Sequence, residues 1–384
     1  MKVLIIGAGI SGLSMALVLE KKLGISPRII EKYPTLRFDG AGIGLPGNAI
    51  ACLNYLGLQD KLMRIAYQVK SLTAARSTGE ILYTGSLLES PLDQYPFVML
   101  SREKLITFLA NEVNSKIEFS KEVIDTKFEN DRQKKIARVR FNDGEEEKFD
   151  LIIAADGINS TMRSTLVAED ARKNLGMSIW RFITDFKQEN PIAYVGLDQQ
   201  TVFAIFPISE NKAYCYAHIV DPLSKANKNG LLSLCRDYPE HVIEIIDSIQ
   251  IEDTIFSKQS VLTKPTLYHK NIAFIGDAAH ATTPQLQQGA ASALEDAIAL
   301  TRMLKLFPDI QTAITHYERF RLPRINWINE YSNNPTTLAA CMSQKNSNLK
   351  INTSWNAITN KISGWKLLLS ENYFDLLDTY ISNY

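Results

Sequence analysis

Residues 1–12 read MKVLIIGAGISG. Val3–Ile6 is an apolar run of strand length, and Gly7, Gly9 and Gly12 follow it at the spacing of a dinucleotide-binding turn. In such a turn one glycine permits the sharp bend, the next lets the backbone approach a pyrophosphate, and the third lets the helix pack on the strand. Ser11–Lys22 carries a helical pattern and Arg28–Glu31 a second short strand, so the opening predicts a βαβ unit. Glu31 stands 19 residues after Gly12, the distance at which an acidic side chain meets ribose hydroxyls, with Lys32 beside it.

A second string lies far along the chain, at 271–300: NIAFIGDAAHATTPQLQQGAASALEDAIAL. An apolar strand, Ile272–Ile275, stops at Gly276, where a missing side chain lets the backbone approach a ligand, and Asp277 adds an acceptor for sugar or polyol hydroxyls. Pro284 fixes the chain ahead of a helix start at Gln288, Gly289 and Ala290, whose unpaired N–H groups and positive end suit an electron-rich ring. His280 orders this turn rather than moving protons.

Between the two strings, DLIIAADGINSTMR (150–163) reads as a buried strand ending at Asp156-Gly157, then a helix capped by Asn159 or Ser160 and carrying Arg163. Residues 41–58 pair a glycine-rich loop with a helix whose Ile50, Leu53 and Leu56 face the core. Residues 76–94 form a polar excursion, Arg102 opens a helix, and Ile117–Ile124 is a further strand. Lys121–Lys148 is a charged surface hairpin turning at Asn142–Gly144. Aromatic-rich strands fill 175–268 and predict an antiparallel sheet over a ligand, with Tyr194, Phe203, Phe206 and Tyr216 toward it. Past Tyr331 an Asn-, Ser- and Thr-rich stretch leads into a helical stripe of Trp365, Leu368, Leu369, Tyr373, Leu376 and Tyr380, which packs on the body or on a second copy in a homodimer.

At 384 residues the chain is long enough for two intertwined domains. Lys plus Arg and Asp plus Glu both number 42, so no global field draws it to nucleic acid or an acidic membrane, and a small molecule is the expected partner. Cys52, Cys215, Cys235 and Cys341 show no metal-ligand spacing and read as reduced thiols, which fits a cytoplasmic enzyme with no metal. The apolar run at the start is needed as a strand and is not read as a targeting segment. Nor does any stretch reach the roughly 18 apolar residues of a membrane span.

The ordered strings GAGISG, DLIIAADGINSTMR and IAFIGDAAHATTP followed by QQGAASALEDA resemble the fingerprints of the single-component flavin monooxygenases, the p-hydroxybenzoate hydroxylase-like family, and are most similar to salicylate hydroxylase-like members. The resemblance spans residues 1 to 330. It implies an α/β fold: a Rossmann-type FAD-binding domain (1–70, 96–174 and 269–330) with an inserted, mostly antiparallel substrate-domain sheet (71–95 and 175–268); the C-terminal helices (331–384) are read from the apolar stripe and match no motif of the family. Carried over, Gly7, Gly9 and Gly12 meet the pyrophosphate, Glu31 with Lys32 the adenosine ribose, Val123 the adenine, and Arg102 the phosphate or ribityl region. Asp156 and Arg163 match the motif given FAD and nicotinamide roles, Asp277 holds the ribityl chain, and Pro284 with Gln288, Gly289 and Ala290 lies beside the flavin ring.

The implied reaction reduces FAD with NADH or NADPH and uses dioxygen to hydroxylate an aromatic or phenolic substrate contacted by Phe203, Phe206, Tyr216 and Pro284, with Tyr194 as the candidate base. Epoxidation, or inactivation of a polycyclic compound on the same scaffold, is the alternative; a flavin-bound sensor or interaction protein is the alternative of another class. Where the family commonly has Gly-Gln-Gly, this chain has Gln287-Gln288-Gly289, which implies a loop less free to swing.

Overall fold

The computed structural model describes residues 1–38, 40–131, 134–167, 171–196, 201–220, 228–333 and 361–384. Cys341 and 334–360 of the C-terminal extension lie outside them. The opening strand, Val3–Ile6, is buried along its length and sits mid-sheet, as an uninterrupted apolar run requires. Across this six-stranded sheet the order is Tyr268–His269, Ile272–Phe274, Leu151–Ala154, Val3–Ile6, Arg28–Glu31 and Ile117–Phe119. All pairs are parallel except the antiparallel edge strand Tyr268–His269. Val3–Ile6 therefore has later strands on both sides, which opens a crevice at its C-terminal end, where the glycine turn lies.

Helix Ile10–Leu23 leaves that turn, ends at Gly24 in the left-handed region (φ 65°), and packs against the long helix Gly289–Leu306. A three-stranded meander, Val123–Asp131, Lys134–Phe141 and Glu146–Phe149, covers the other side through Val139, Phe141 and Phe149. The charge expected on its surface is there, with Arg28 bonded to Glu118, Glu145 and Glu147.

The second large sheet has seven strands in the order Ile255–Leu262, Arg172–Asp185, Lys212–Val220, Thr201–Pro207, Ile192–Gly196, Ser71–Arg76 and Ile81–Ser86. Every pair is antiparallel except Ile192–Gly196 with Ser71–Arg76. One face carries a core of Trp180, Phe182, Phe203, Val242, Ile245 and Ile246, closed by the helices Lys228–Leu234 and Glu240–Ser248. Its other face covers a cavity.

Three local expectations change. The glycine-rich loop at 41–45 is a strand, Gly42–Leu45, paired with Phe97–Ser101. The run Ile117–Ile124 is two strands, Ile117–Phe119 and the start of Val123–Asp131, separated at Ser120 with φ 56°. The C-terminal stripe is broken as well: residues 361–370 and Tyr373–Ser382 are separate helices, the second capped by the Asn372 side chain, so Leu377 is buried while Leu376 is exposed. No helix of the described residues is long and apolar enough to cross a membrane.

Candidate active site

Two cavities meet around the glycine turn. The smaller, about 180 Å³, is lined by Gly7, Glu31, Lys32, Val123 and Asp156 among others. The larger, about 450 Å³, lies under the seven-stranded sheet and is lined by Asp277, Pro284, Gly289 and Ala290 on its floor. Gly9, Arg102, Ala155 and Gly157 line both, so the two lobes adjoin at the end of the parallel sheet.

The glycines divide their tasks. A methyl group on Gly12 would lie 1.9 Å from the Gly7 carbonyl oxygen, so Gly12 serves helix packing and, contrary to expectation, does not line either lobe. Gly9 has open space around its missing side chain and faces both lobes, where a pyrophosphate can approach the backbone. Glu31 is positioned by backbone donors: its carboxylate accepts from Ala8 N at 2.9 Å and Tyr33 N at 3.1 Å. Asp156 accepts from Met162 N at 3.2 Å, and burial raises its pKa.

Two expected cofactor residues turn away. Arg163 donates to the carbonyls of Ala278 (2.6 Å) and Ile158 (2.5 Å), tying the middle motif to the third string, and lines neither lobe. Gln288 is fully buried in the opposite direction, bonded to Asn48 at 2.9 Å and 3.2 Å. Its neighbour Gln287 takes the cavity position instead, in the left-handed region at φ 52°.

The turn that presents Asp277 rests on a buried ionic network that sequence reasoning missed. Asp296 accepts from Gly276 N at 2.9 Å, from Arg321 Nε at 2.8 Å, and lies 2.7 Å from Nε2 of His280. Burial alone would raise the Asp296 pKa, but His280 and Arg321 outweigh it and hold it down to about 2. Glu295 joins Arg321, Arg324 and Asn48, and Tyr373 donates to its backbone carbonyl. The available signal was a pair of acids, Glu295-Asp296, in a helix stretch, 290–300, whose one other polar residue is Ser292.

The roof is set by strand register. Ala74, Ala193, Ala204, Tyr216 and Arg181 are cross-strand neighbours in one row, and Val195, Val202, His218 and Ile179 form the next facing row. All line the large lobe, and the three alanines hollow it. Tyr194 and Phe203, paired with each other in register, point to the opposite face and are buried in the core there. This overturns their expected roles at the ligand, whereas Phe206, Tyr216 and Pro284 line the lobe. Arg181, His218, Gln287 and Lys361 line it too and were not anticipated. Burial lowers His218 to about 4, so its imidazole is neutral near pH 7, and its Nδ1 has no protein partner among the described residues.

A glycine turn at the crevice of a parallel sheet, followed by an acidic residue and joined to a roofed cavity, defines a dinucleotide-binding oxidoreductase fold. Residues 1–327 match the family described as FAD binding domain, and the chain belongs to that family. Among similar proteins are the FAD-dependent urate hydroxylase of Mycolicibacterium vanbaalenii, 28% identical with 84% of this chain and 85% of the relative covered, and the 3-amino-4-hydroxybenzoate 2-monooxygenase of Streptomyces cremeus, 27% identical with 84% of each covered. The fold matches that of Klebsiella pneumoniae HpxO complexed with FAD and uric acid, with a TM-score of 0.81 at 24% identity, covering 100% of this chain and 97% of that one. The lining fits FAD: Gly9 leaves room where the lobes meet, Glu31 offers a carboxylate in the smaller lobe, and Asp277 offers one in the larger.

Proposed function

We propose that this chain is an FAD-dependent monooxygenase that takes electrons from NADH or NADPH and transfers one oxygen atom of dioxygen to an aromatic or phenolic small molecule. The observation that carries this reading is the adjacency of the two lobes, which sets a roofed cavity of mixed apolar and polar lining at the end of a dinucleotide site. FAD, when bound, supplies the electron transfer and dioxygen activation. Gly7, Gly9, Glu31, Lys32, Val123 and Asp156 serve its adenosine and pyrophosphate half; Arg102, Asp277, Pro284, Gly289 and Ala290 serve its ribityl and ring half.

For substrate, Phe206, Tyr216 and the alanine row hold an aromatic ring and exclude water, and neutral His218 offers Nδ1 to a substrate hydroxyl. The same reading assigns residues 1–70, 96–174 and 269–330 to the FAD domain, 71–95 and 175–268 to the substrate domain, and 331–384 to a helical extension. Buried thiols at Cys52, Cys215 and Cys235 support a cytoplasmic setting.

Purified protein should be yellow, release FAD on denaturation, and consume NAD(P)H faster with its aromatic substrate. With labelled dioxygen the product should gain one labelled oxygen atom; label from water alone rejects oxygen transfer, and product connectivity separates hydroxylation from epoxidation. Well-folded protein that neither retains nor rebinds FAD overturns the reading as a whole.

A further inference from the structure

We propose that Lys361 is the anion anchor of the large cavity: its ammonium pairs with a carboxylate or ionised hydroxyl on the aromatic ligand. The identification of that ligand as substrate rests on the monooxygenase reading. Lys361 begins the stretch 361–370, which is fixed on several sides. Trp365 donates its indole N–H to the Leu286 carbonyl at 2.9 Å and stacks on Phe97 with ring centroids 4.8 Å apart. A methyl group on Gly364 would lie 2.8 Å from the Tyr331 ring and 3.0 Å from Leu286, and one on Gly85 would lie 2.2 Å from Ile362. The helix is thus clamped between the Pro284–Leu286 turn and the Ile81–Ser86 edge of the roof, and Lys361 lines the cavity from a fixed base.

No carboxylate among the described residues forms an ion pair with Lys361, whereas Lys366 on the same helix pairs with Glu89 at 3.3 Å. Among the described residues the Lys361 ammonium meets the Trp365 ring, 5.4 Å from the centroid, a weak offset for a half-buried cation. Burial accordingly pushes the Lys361 pKa down to about 8.

The rest of the lining has the same sign. Arg102, Arg181 and Lys361 face the cavity against one acid, Asp277. Arg102 belongs also to the adenosine lobe and serves the cofactor end, while Arg181 is bonded to Ser257 at 2.7 Å near the other edge of the roof. Lys361 therefore remains as a cation whose partner the described residues do not supply, in a cavity that Phe206, Tyr214 and Tyr216 also line. A ligand anion both satisfies it and fixes which edge of the ring faces the Pro284 turn.

The test uses FAD-loaded protein and paired probes: 2-hydroxybenzoate, 4-hydroxybenzoate and 2-aminobenzoate against their carboxamides, with dissociation constants read from flavin fluorescence. In the wild type at least one acid should bind about tenfold or more tighter than its amide, the size of a charge-assisted hydrogen bond. Lys361→Met should abolish that preference while leaving amide affinity within about twofold, and Lys361→Arg should keep most of it. Should Lys361→Met fail to fold or to hold FAD, Lys361→Gln takes its place beside the wild-type ratios.

If no acid binds better than its amide, or if the preference persists without the lysine, the assignment is overturned. An acid preference in a protein that never consumes NAD(P)H leaves the anchor standing and sinks the monooxygenase reading. Labelled product formed by Lys361→Met with an unchanged constant for an acidic substrate does the reverse.

Discussion

The hydroxyl of Tyr194 lies 2.8 Å from Nε2 of His241, on the face of the seven-stranded sheet turned away from the cavity. Burial raises the Tyr194 pKa and lowers that of His241, so near neutral pH the tyrosine is protonated and the imidazole neutral, and the O–H donates to the ring nitrogen. Tyr194→Phe should therefore leave the hydroxylation rate and its pH profile unchanged while lowering stability by about 1 kcal/mol, the net worth of one hydrogen bond. Single-turnover kinetics across pH, beside urea denaturation, would check both halves.

That Phe203 and Phe206 do not share a ligand was legible in the sequence; that Tyr194 falls on the Phe203 side was not, because it depends on their cross-strand pairing. Phe203 and Phe206 are three residues apart, and side chains on a regular strand alternate, so both cannot face the same ligand. Which parity faces the cavity was not legible, because both faces of this sheet are apolar: one meets the helices Lys228–Leu234 and Glu240–Ser248, the other roofs the lobe. The glycine turn, Glu31 and the Gly276-Asp277 turn were readable because their chemistry is local to a strand end. Lys361 and Arg321 were not, since they reach their places only through packing of distant helices, and Gln288 misled because adjacent residues leave a helix start in opposite directions.

Asp296 should prove indispensable to the cofactor site although it does not line either lobe. Asp296→Asn leaves Arg321 buried with less than its full counter-charge and weakens the hold on Gly276 N, a loss of about 3–5 kcal/mol by analogy with other broken buried pairs. Thermal melts and FAD content should fall together, while Asp296→Glu should recover part of both.

The same carboxylate sets an acid limit. Its folded pKa, about 2, lies below the ordinary value near 4, so its contribution is full above roughly pH 4 and is lost as pH falls toward 2. Wild-type protein followed by flavin fluorescence should lose stability and release FAD through that window, and the Asp296→Asn variant should show a shallower dependence there.

Gln287 and Gly44 are expected to be energetically coupled. A methyl group on Gly44 would lie 2.9 Å from Cδ of Gln287 and 2.8 Å from Cζ of Phe97, so Gly44→Ala should destabilise by about 1–3 kcal/mol through overpacking. Gln287→Gly suits the left-handed backbone and should change stability by less than about 1 kcal/mol. The double variant should be more stable than the sum of the two singles by at least about 0.5 kcal/mol; strict additivity in denaturation would show that the Gln287 side chain gives way freely.

Lys361 makes a prediction about the protein without ligand, and its sign is fixed by the direction of its shift. A folded pKa of about 8, against an ordinary value near 10.4, means that below pH 8 the half-buried ammonium is protonated in both folded and unfolded chains and its desolvation penalty is constant. Between pH 8 and about 10.4 the folded protein gives up the proton first, and the penalty shrinks. Lys361→Met should thus melt at a higher temperature than the wild type at pH 7, and this advantage should diminish steadily as pH is raised toward 10. A saturating acidic aromatic ligand should raise the wild-type melting temperature more than that of the variant, because only the wild type has a partly desolvated charge for the ligand to neutralise. A variant that melts lower than the wild type at pH 7, with no dependence of the difference on pH, would place the Lys361 ammonium in solvent and make its methylene packing on Trp365 the whole of its role.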